Sequence, residues 1–251
     1  MKKRIAPGPR LTGGRELVLD AAMRIISERG VAALSFREIA KALSLRSPAG
    51  PLYHYGTSTA LLARVAEIQF DRLTAELDEE RRTTGPRLLE RIALRYADYA
   101  LSNPHLYQAI HSPELWSAAV ASDGNAPVRG KPAGPKAREL TAASIAEARK
   151  ARNKAFEVFV RAVRQLIRSG ELRRACAPAD VARMVTALVD GYLFQTFDEN
   201  VAPDASAKER LEYIGELLDL ALSGSLPERS ATVRRRAAAP GAVKRKKRSH
   251  S

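Results

Sequence analysis

Residues 35–54 place hydroxyl, guanidinium, imidazole and phenol side chains among small residues, a combination suited to binding a polyanion. Such side chains donate hydrogen bonds to phosphate oxygens, and they also contact the edges of bases in the grooves of a duplex. The pattern therefore predicts contacts with double-stranded DNA. The residues that we expect to bind DNA are Ser35, Arg37, Arg46, Ser47, Ala49, Gly50, Tyr53 and His54.

The expected roles differ along this stretch. Ser35 and Arg37 stand at the start of a predicted helix, where free N–H groups and the helix dipole favour a phosphate. Arg46 can bond to a guanine edge, and Ala49 can touch a thymine methyl group. Each of these residues could instead belong to an ordinary polar surface, and that alternative stays open for all of them.

Two short helices must present these side chains. Ser35 followed by Glu38 is a capping box, in which the hydroxyl accepts from the N–H of Glu38 and the carboxylate bonds back to Ser35. Ile39, Ala40 and Leu43 then recur on one helical face. This pattern predicts the first of the two helices, with its apolar side turned toward a core.

A tight turn separates it from a second helix, which we expect to run from about Ala49 to Tyr55 and to end at Gly56. Its start has two solutions. Ser47 is a good N-cap, but Pro51 would then lie one turn inside the helix without an N–H. A start at Pro51 fits equally well. The arrangement of two helices around a tight turn predicts a helix-turn-helix that reads DNA.

Residues 17–68 resemble the DNA-binding head of the TetR family of bacterial repressors. The matching segments are LVLDAAMRIISERG, ALSFREIAKALSL, PLYHYG and TSTALLARVAEI, in that order. The resemblance implies phosphate contacts for Tyr53 and His54. Two departures stand out: the stretch joining the two helices is one or two residues longer than usual, and Ser58 replaces a common phosphate-contacting Lys.

Apolar residues at helical spacing and Gly/Pro breaks along the remaining sequence predict an all-α protein of about nine helices. We expect residues 15–70 to form a three-helix, helix-turn-helix DNA-binding domain, which we call the head. Residues 71–226 should form a larger helical bundle for ligand binding and dimerisation, which we call the body. Residues 1–14 and 227–251 are basic and poor in large apolar side chains, so we expect them to be disordered. A Gly/Pro-rich loop at 121–137 interrupts the bundle. We expect Thr57 to cap the helix that follows Gly56, and Ser206 with Glu209 to form a second capping box at the start of the last helix.

The second half also resembles the ligand-binding part of TetR regulators, which implies a homodimer through the last two helices and a small-molecule cavity in each body. The expected dimer interface consists of Val185, Leu188, Val189, Leu193, Tyr213, Leu217, Leu218 and Leu222. The expected pocket lining consists of Tyr96, Tyr99, Tyr107, His111, Trp116, Phe156, Phe159 and Tyr192. Both sets could instead be intramolecular core. A mostly apolar pocket predicts a hydrophobic or aromatic effector.

The net charge of +14 lies in the two ends of the chain. Residues 1–15 carry five Lys or Arg and residues 229–251 carry nine, with no acidic residue in either segment. The head must therefore bind DNA through individually positioned side chains rather than through a high net charge. The basic tail at 229–251 would add salt-dependent, non-specific affinity for DNA. This distribution keeps one alternative open, a basic architectural protein that coats DNA without regard to sequence.

The remaining composition argues against other classes of protein. The single cysteine, Cys176, cannot form an intrachain disulfide, which fits a reducing cytoplasm. No apolar run is long enough for a membrane span, and the N-terminal residues do not resemble a signal peptide. Histidines at metal spacing, phosphate-binding glycine loops and nucleophile motifs are missing as well, so we expect no catalysis, metal or cofactor. The sequence predicts a cytoplasmic, nucleoid-associated repressor whose partners are an operator and a small-molecule effector.

Overall fold

A computed structural model describes residues 14–82, 87–113, 115–117, 134–172, 177–197 and 205–223. Within these ranges the chain forms nine α-helices, one 3-10 turn and no strand, which confirms the all-α prediction. The helices are α1 Gly14–Arg29, α2 Phe36–Ala42, α3 Ala49–Tyr55, α4 Ser58–Arg82, α5 Leu88–Ser102, α6 Pro104–Ile110, α7 Pro135–Arg168, α8 Pro178–Phe197 and α9 Ala207–Leu222. The predicted tails, most of the 121–137 loop and Cys176 lie outside the described residues.

Side-chain caps start two of the helices in the N-terminal head. The Ser35 hydroxyl accepts from the Glu38 N–H at 3.2 Å, as the capping box requires. The Glu38 carboxylate pairs with Arg29 at 2.8 Å instead of bonding back to Ser35, so only half of the predicted box forms. Helix α4 begins after Thr57, whose hydroxyl accepts from the Ala60 N–H at 3.0 Å, and this confirms the predicted cap.

The turn after α2 is a Schellman motif. The Leu45 N–H donates to the Ala40 carbonyl at 2.8 Å, and the Ser44 N–H donates to the Lys41 carbonyl at 3.1 Å. Ser44 adopts a φ of 53°, a left-handed conformation that costs a residue with a Cβ about 1–2 kcal/mol. Two hydrogen bonds thus hold a strained residue at the point where the chain turns toward α3.

Helix α3 has the predicted bounds, but its N-cap is neither of the two alternatives: it lies one residue after Ser47 and before the start at Gly50-Pro51. Pro48 is the N-cap residue, while the Ser47 hydroxyl accepts from the Ala49 N–H at 3.2 Å. Pro51 is buried in the first turn, where backbone N–H groups have no intrahelical acceptor. Its missing N–H therefore removes no helical hydrogen bond.

Helices α4 and α7 form the central pair of the molecule. They contain 25 and 34 residues, which corresponds to about 38 Å and 51 Å of helix. The apolar side of α4 is buried along its whole length and packs mainly on α7. The buried residues of the head and of the body belong to one continuous hydrophobic cluster. Helix α4 therefore contributes to the core of both the head and the body.

Four residues predicted for the dimer interface are intramolecular core instead. Val185, Val189 and Leu193 recur every four residues along α8, and they are fully buried within one protomer together with Leu218 of α9. This recurrence defines the inward stripe of a helix that packs on its own chain. The corrected set of interface candidates keeps the partly or largely exposed residues Leu188, Tyr213, Leu217 and Leu222.

The capping box predicted for the start of α9 is complete. The Ser206 hydroxyl accepts from the Glu209 N–H at 3.3 Å, and the Glu209 carboxylate accepts from the Ser206 N–H at 2.7 Å. None of the described helices is long and apolar enough to cross a membrane.

Candidate functional site

The outer side of α3 is the most exposed part of the head. Tyr53 is 81% exposed and Leu52 is 47% exposed, and both are large side chains turned toward solvent. His54 is half-buried, and its ring centroid lies 5.7 Å from that of Tyr53. The other residues predicted to contact DNA are exposed, except for the half-buried cap Ser35; these are Arg37, Arg46, Ser47, Ala49 and Gly50.

The inner side of α3 is tied to α1. Tyr55 is buried, and its hydroxyl donates to the carbonyl of Arg15 at 2.9 Å. Burial raises the pKa of Tyr55, so the phenol remains a protonated donor at neutral pH. Gly14 lies directly against His54, since a Cβ at Gly14 would stand 3.0 Å from the His54 Nε2. The helix is thus anchored on one side and free on the other.

The end of α3 touches the body. Gly56 has a φ of 71°, and a Cβ there would lie 3.2 Å from the Cβ and 3.3 Å from the Cα of Ala137. The hydroxyls of Thr57 and Thr141 are 2.7 Å apart. The N-terminal turns of α7 therefore contact both the end of α3 and the start of α4.

Four of the predicted pocket residues come together between α5, α6 and α7. The ring of Tyr96 lies 5.9 Å from Phe159 and 6.1 Å from Tyr107, and Tyr107 lies 4.5 Å from His111. All four side chains are buried or nearly so. We refer to Tyr96, Tyr107, His111, Phe159 and the α8 residues Asp190, Phe194 and Phe197 as the aromatic cluster.

The other predicted pocket residues have different surroundings. Trp116 lies 6.4 Å from Phe70, whose ring is 6.2 Å from His111, so Trp116 borders the aromatic cluster through Phe70. The Tyr99 hydroxyl donates to the Gln69 Oε1 of α4 at 2.6 Å. Phe156 packs half-buried against the core, whereas Tyr192 lies apart and faces Tyr213 of α9 at 5.2 Å. These two pairings separate Tyr99 and Tyr192 from the cluster.

Asp190 is the functional candidate that sequence reasoning missed. The hydroxyls of Tyr96 and Tyr107 both donate to its Oδ1 at 2.6 Å. The two tyrosines are 94 and 83 residues away in sequence, so no local pattern connects them to Asp190. A usable signal was present, because Asp190 is the only charged residue in the segment MVTALVDGYLFQTF. A charge within a buried apolar helix needs a partner.

The hydrogen-bond directions in the aromatic cluster follow from a count of protons. Tyr96 uses its only proton on Asp190, so the His111 Nε2, which lies 3.3 Å away, must donate to the Tyr96 oxygen. Burial lowers the pKa of His111, and this effect is larger than the opposing effect of the Asp190 charge. The ring is therefore neutral at pH 7. Burial and the Asp190 charge raise the pKa of both phenols, so they remain donors.

Two surface clefts of about 550 Å³ and 540 Å³ lie elsewhere on the body. The first separates α8 from α9 and is lined by Ala187, Leu188, Gly191, Tyr192, Gln195, Ala205, Glu209, Tyr213 and Leu217. The second lies where α4, α7 and α8 meet and is lined by Arg81, Arg161, Arg164, Gln165, Ile167, Arg168 and Pro178. In the part of the chain that the structure describes, no group of three or more His, Cys, Asp or Glu residues is placed to hold a metal ion.

Comparison with known proteins finds one family model that matches the head. Residues 18–65 match the family model for bacterial regulatory proteins of the tetR family. No curated protein sequence matches the chain. The family match confirms the resemblance that the helix-turn-helix motifs indicated.

Solved structures share the overall fold. A protein of unknown function from a Rhodococcus species is 19% identical, with a TM-score of 0.61, and the match covers 90% of this chain and 100% of that one. The TetR family transcriptional regulator PfmR from Thermus thermophilus is 20% identical, with a TM-score of 0.51 and coverage of 80% and 95%. A Saccharomonospora viridis protein, solved in complex with choline, is 21% identical, with a TM-score of 0.54 and coverage of 83% and 96%.

Proposed function

We propose that this DNA-binding transcriptional regulator, whose residues 18–65 belong to the tetR family, is a repressor that a small molecule releases from its operator. The observation that carries the proposal is the arrangement of α3. Its Tyr53 side is open to solvent, while its Tyr55 side is anchored to α1. A short helix held in this way can enter the major groove without a change in its own fold.

The DNA contacts that we propose divide into two kinds. Ser35, Arg37, Tyr53 and His54 hold phosphates and so fix the register of the head, whereas Arg46 and Ala49 read base edges, with Ser47 and Gly50 close to the same groove. Because α3 has only seven residues, one head contacts few base pairs. Two heads spaced by one helical turn, about 34–36 Å, would supply the specificity of an operator.

We place the dimer interface on the outward sides of α8 and α9. The cleft between these helices contains Leu188, Tyr213 and Leu217, and the exposed apolar residues Met184 and Leu220 lie on the same pair of helices. A stable interface buries more than about 1,000 Å² in total, which requires most of such a helix pair. The buried stripe of α8 supports the fold of each protomer and leaves this outer face for pairing.

The aromatic cluster is connected to the head through α4. Phe70 of α4 contacts the His111 ring of the cluster. Next to it, Gln69 of α4 accepts a hydrogen bond from the hydroxyl of Tyr99, which is on α5 but outside the cluster. A second connection joins α6 to α1, where the His105 Nδ1 donates to the Ser27 carbonyl at 2.9 Å. We propose that an effector with a hydrophobic or aromatic body enters the cluster, displaces α4 and tilts the head. A coupling free energy of about 1–3 kcal/mol would change operator affinity about 5–150-fold.

Footprinting of the DNA upstream of the protein's own gene tests this function. We expect a protected site with two half-sites, and we expect it to persist after deletion of residues 229–251, with a weaker dependence on salt. Loss of all protection in the truncated chain would favour the sequence-indifferent coating protein instead. A repressor further requires that transcription from the footprinted promoter rises when the gene is deleted. We expect the protein to act in the cytoplasm, at the nucleoid.

A further inference from the structure

Asp190 of α8 is an acidic group bonded to two tyrosines from different helices, Tyr96 of α5 and Tyr107 of α6. Both of its tyrosine partners donate to Oδ1, and they are neutral phenols rather than cations. Within the described ranges, no Lys, Arg or His forms an ion pair with Asp190. A carboxylate that is partly removed from water without a counter-ion is unfavourable, and two neutral hydrogen bonds offset only part of that penalty.

The surroundings of Asp190 favour one kind of counter-ion. The centroid of the Tyr107 ring lies 4.5 Å from the centroid of His111 and 5.7 Å from the centroids of both Phe194 and Phe197. The faces of aromatic rings attract cations that come within about 6 Å of the ring centroid. A carboxylate within a group of aromatic rings therefore complements an ammonium or quaternary ammonium group. An anionic ligand would be repelled, and a purely apolar one would leave the charge uncompensated.

The aromatic cluster reaches the surface at one end. Tyr107 is fully buried, whereas Phe194 is 43% exposed and Asp190 is partly exposed, one helical turn before it on α8. The entry route for a ligand is therefore short, and it leads first to the charged group.

We infer that the effector is a cationic amine or quaternary ammonium compound with an apolar body, whose nitrogen binds beside Asp190 and the rings of Tyr107, Phe194 and Phe197. The inference rests on the proposed function, because it names the ligand class of the same body site. It adds a charge requirement to the hydrophobic or aromatic character that the pocket composition predicts.

The only tryptophan of the chain, Trp116, provides the signal for a direct test. Its fluorescence in the full-length protein, without DNA, is titrated with benzyltrimethylammonium. The matched neutral probe is 2,2-dimethyl-1-phenylpropane, in which a tert-butyl group replaces the trimethylammonium. We expect the cation to bind at least tenfold more tightly than the neutral compound, because only the cation compensates the Asp190 charge.

Variants of Asp190 test whether the preference for the cationic probe depends on this carboxylate. Asp190→Asn should abolish the preference for the cation, and Asp190→Glu should retain most of it. The matched control is Asp180→Asn on the same helix, because Asp180 is an exposed acid that pairs with Arg183, and this variant should behave like the wild type. If Asp190→Asn does not fold, as judged by circular dichroism, the wild-type preference and the Asp190→Glu titration decide the question.

Three outcomes would overturn the inference: equal affinity for the two probes, no binding of the cation, or a folded Asp190→Asn protein that keeps the preference. The operator footprint is measured separately on the same preparation. A cation preference without a footprint would reject the proposed repressor and leave the binding site standing. A footprint without a cation preference would reject the binding site alone.

Discussion

The reading helix α3 and the aromatic cluster both depend on tyrosine hydroxyls, but they use them in opposite ways. Tyr53 of α3 is 81% exposed, whereas Tyr107 of the cluster is fully buried and bonded to Asp190. The Tyr53 side chain of the head faces solvent, where a duplex can meet it. The body pairs its polar groups internally, so a ligand there must compete with existing contacts. The difference fits the proposed division between a head that reads DNA and a body that binds an effector.

Substitution of Gly56 should have the largest effect on this comparison, because Gly56 is one of the residues through which the head contacts the body. We expect Gly56→Ala to lower the free energy of unfolding by about 2–4 kcal/mol. The backbone conformation at this position favours glycine, and the added Cβ would contact Ala137 too closely. The control is Gly30→Ala, with a φ of 77° and no atom within 4 Å of the added Cβ. Urea denaturation of both variants isolates the contact, and equal losses would show that it contributes nothing.

Tyr107→Phe tests whether the internal pairing of the aromatic cluster stabilises the fold. The variant removes one of two donors to a charged oxygen, so we expect a loss of about 1.5–3 kcal/mol in the free energy of unfolding. The same change at the exposed Tyr53 should stay within about 0.5 kcal/mol. Chemical denaturation compares the two variants. Similar values for both would remove the contrast between buried and exposed phenols.

Tyr53→Ala tests the reader directly. We expect operator affinity in a gel-shift titration at fixed salt to fall about tenfold, which corresponds to about 1.4 kcal/mol, while stability stays within about 0.5 kcal/mol. Tyr53→Phe separates the hydroxyl from the ring, since a phosphate contact requires the hydroxyl. An unchanged gel-shift affinity in Tyr53→Ala would count against the proposed DNA surface.

Ser44→Gly should give the smallest effect, and it should be stabilising. Glycine removes the cost of a left-handed conformation, which is about 1–2 kcal/mol for serine. It also lowers stability by about 0.4–1 kcal/mol, because it increases the conformational entropy of the unfolded chain. The free energy of unfolding should therefore rise by about 0.5–1 kcal/mol. Ser47→Gly serves as the control, since Ser47 has no positive φ and its hydroxyl accepts a hydrogen bond. A lower melting temperature in Ser44→Gly would contradict the interpretation of this turn as strained.

The sequence was informative wherever the deciding contact was local. The Thr57 cap, the box of Ser206 and Glu209, and the end of α3 at Gly56 all depend on residues within four positions of one another, and the structure has all three. The Glu38 carboxylate was assigned wrongly, because Arg29 competes for it from the preceding helix. Local propensity does not report such a competitor.

Long-range placement accounts for what could not be predicted. Apolar spacing identified the stripe of Val185, Val189 and Leu193, but spacing alone does not say whether a stripe is covered by its own chain or by a second copy. Asp190 was missed because both of its partners come from helices more than 80 residues earlier in the chain. The aromatic residues of the body could be named from composition, while their arrangement depends on tertiary packing.

The anchoring of α1 beside α3 has a practical consequence for anyone who handles this protein. Gly14 abuts His54, and the Arg15 carbonyl accepts a hydrogen bond from the Tyr55 hydroxyl, so a group attached at residue 14 would lie beside the proposed DNA surface of α3. An affinity tag placed there would compete with the duplex for space. A dye placed there would instead serve as a proximity sensor for the bound oligonucleotide.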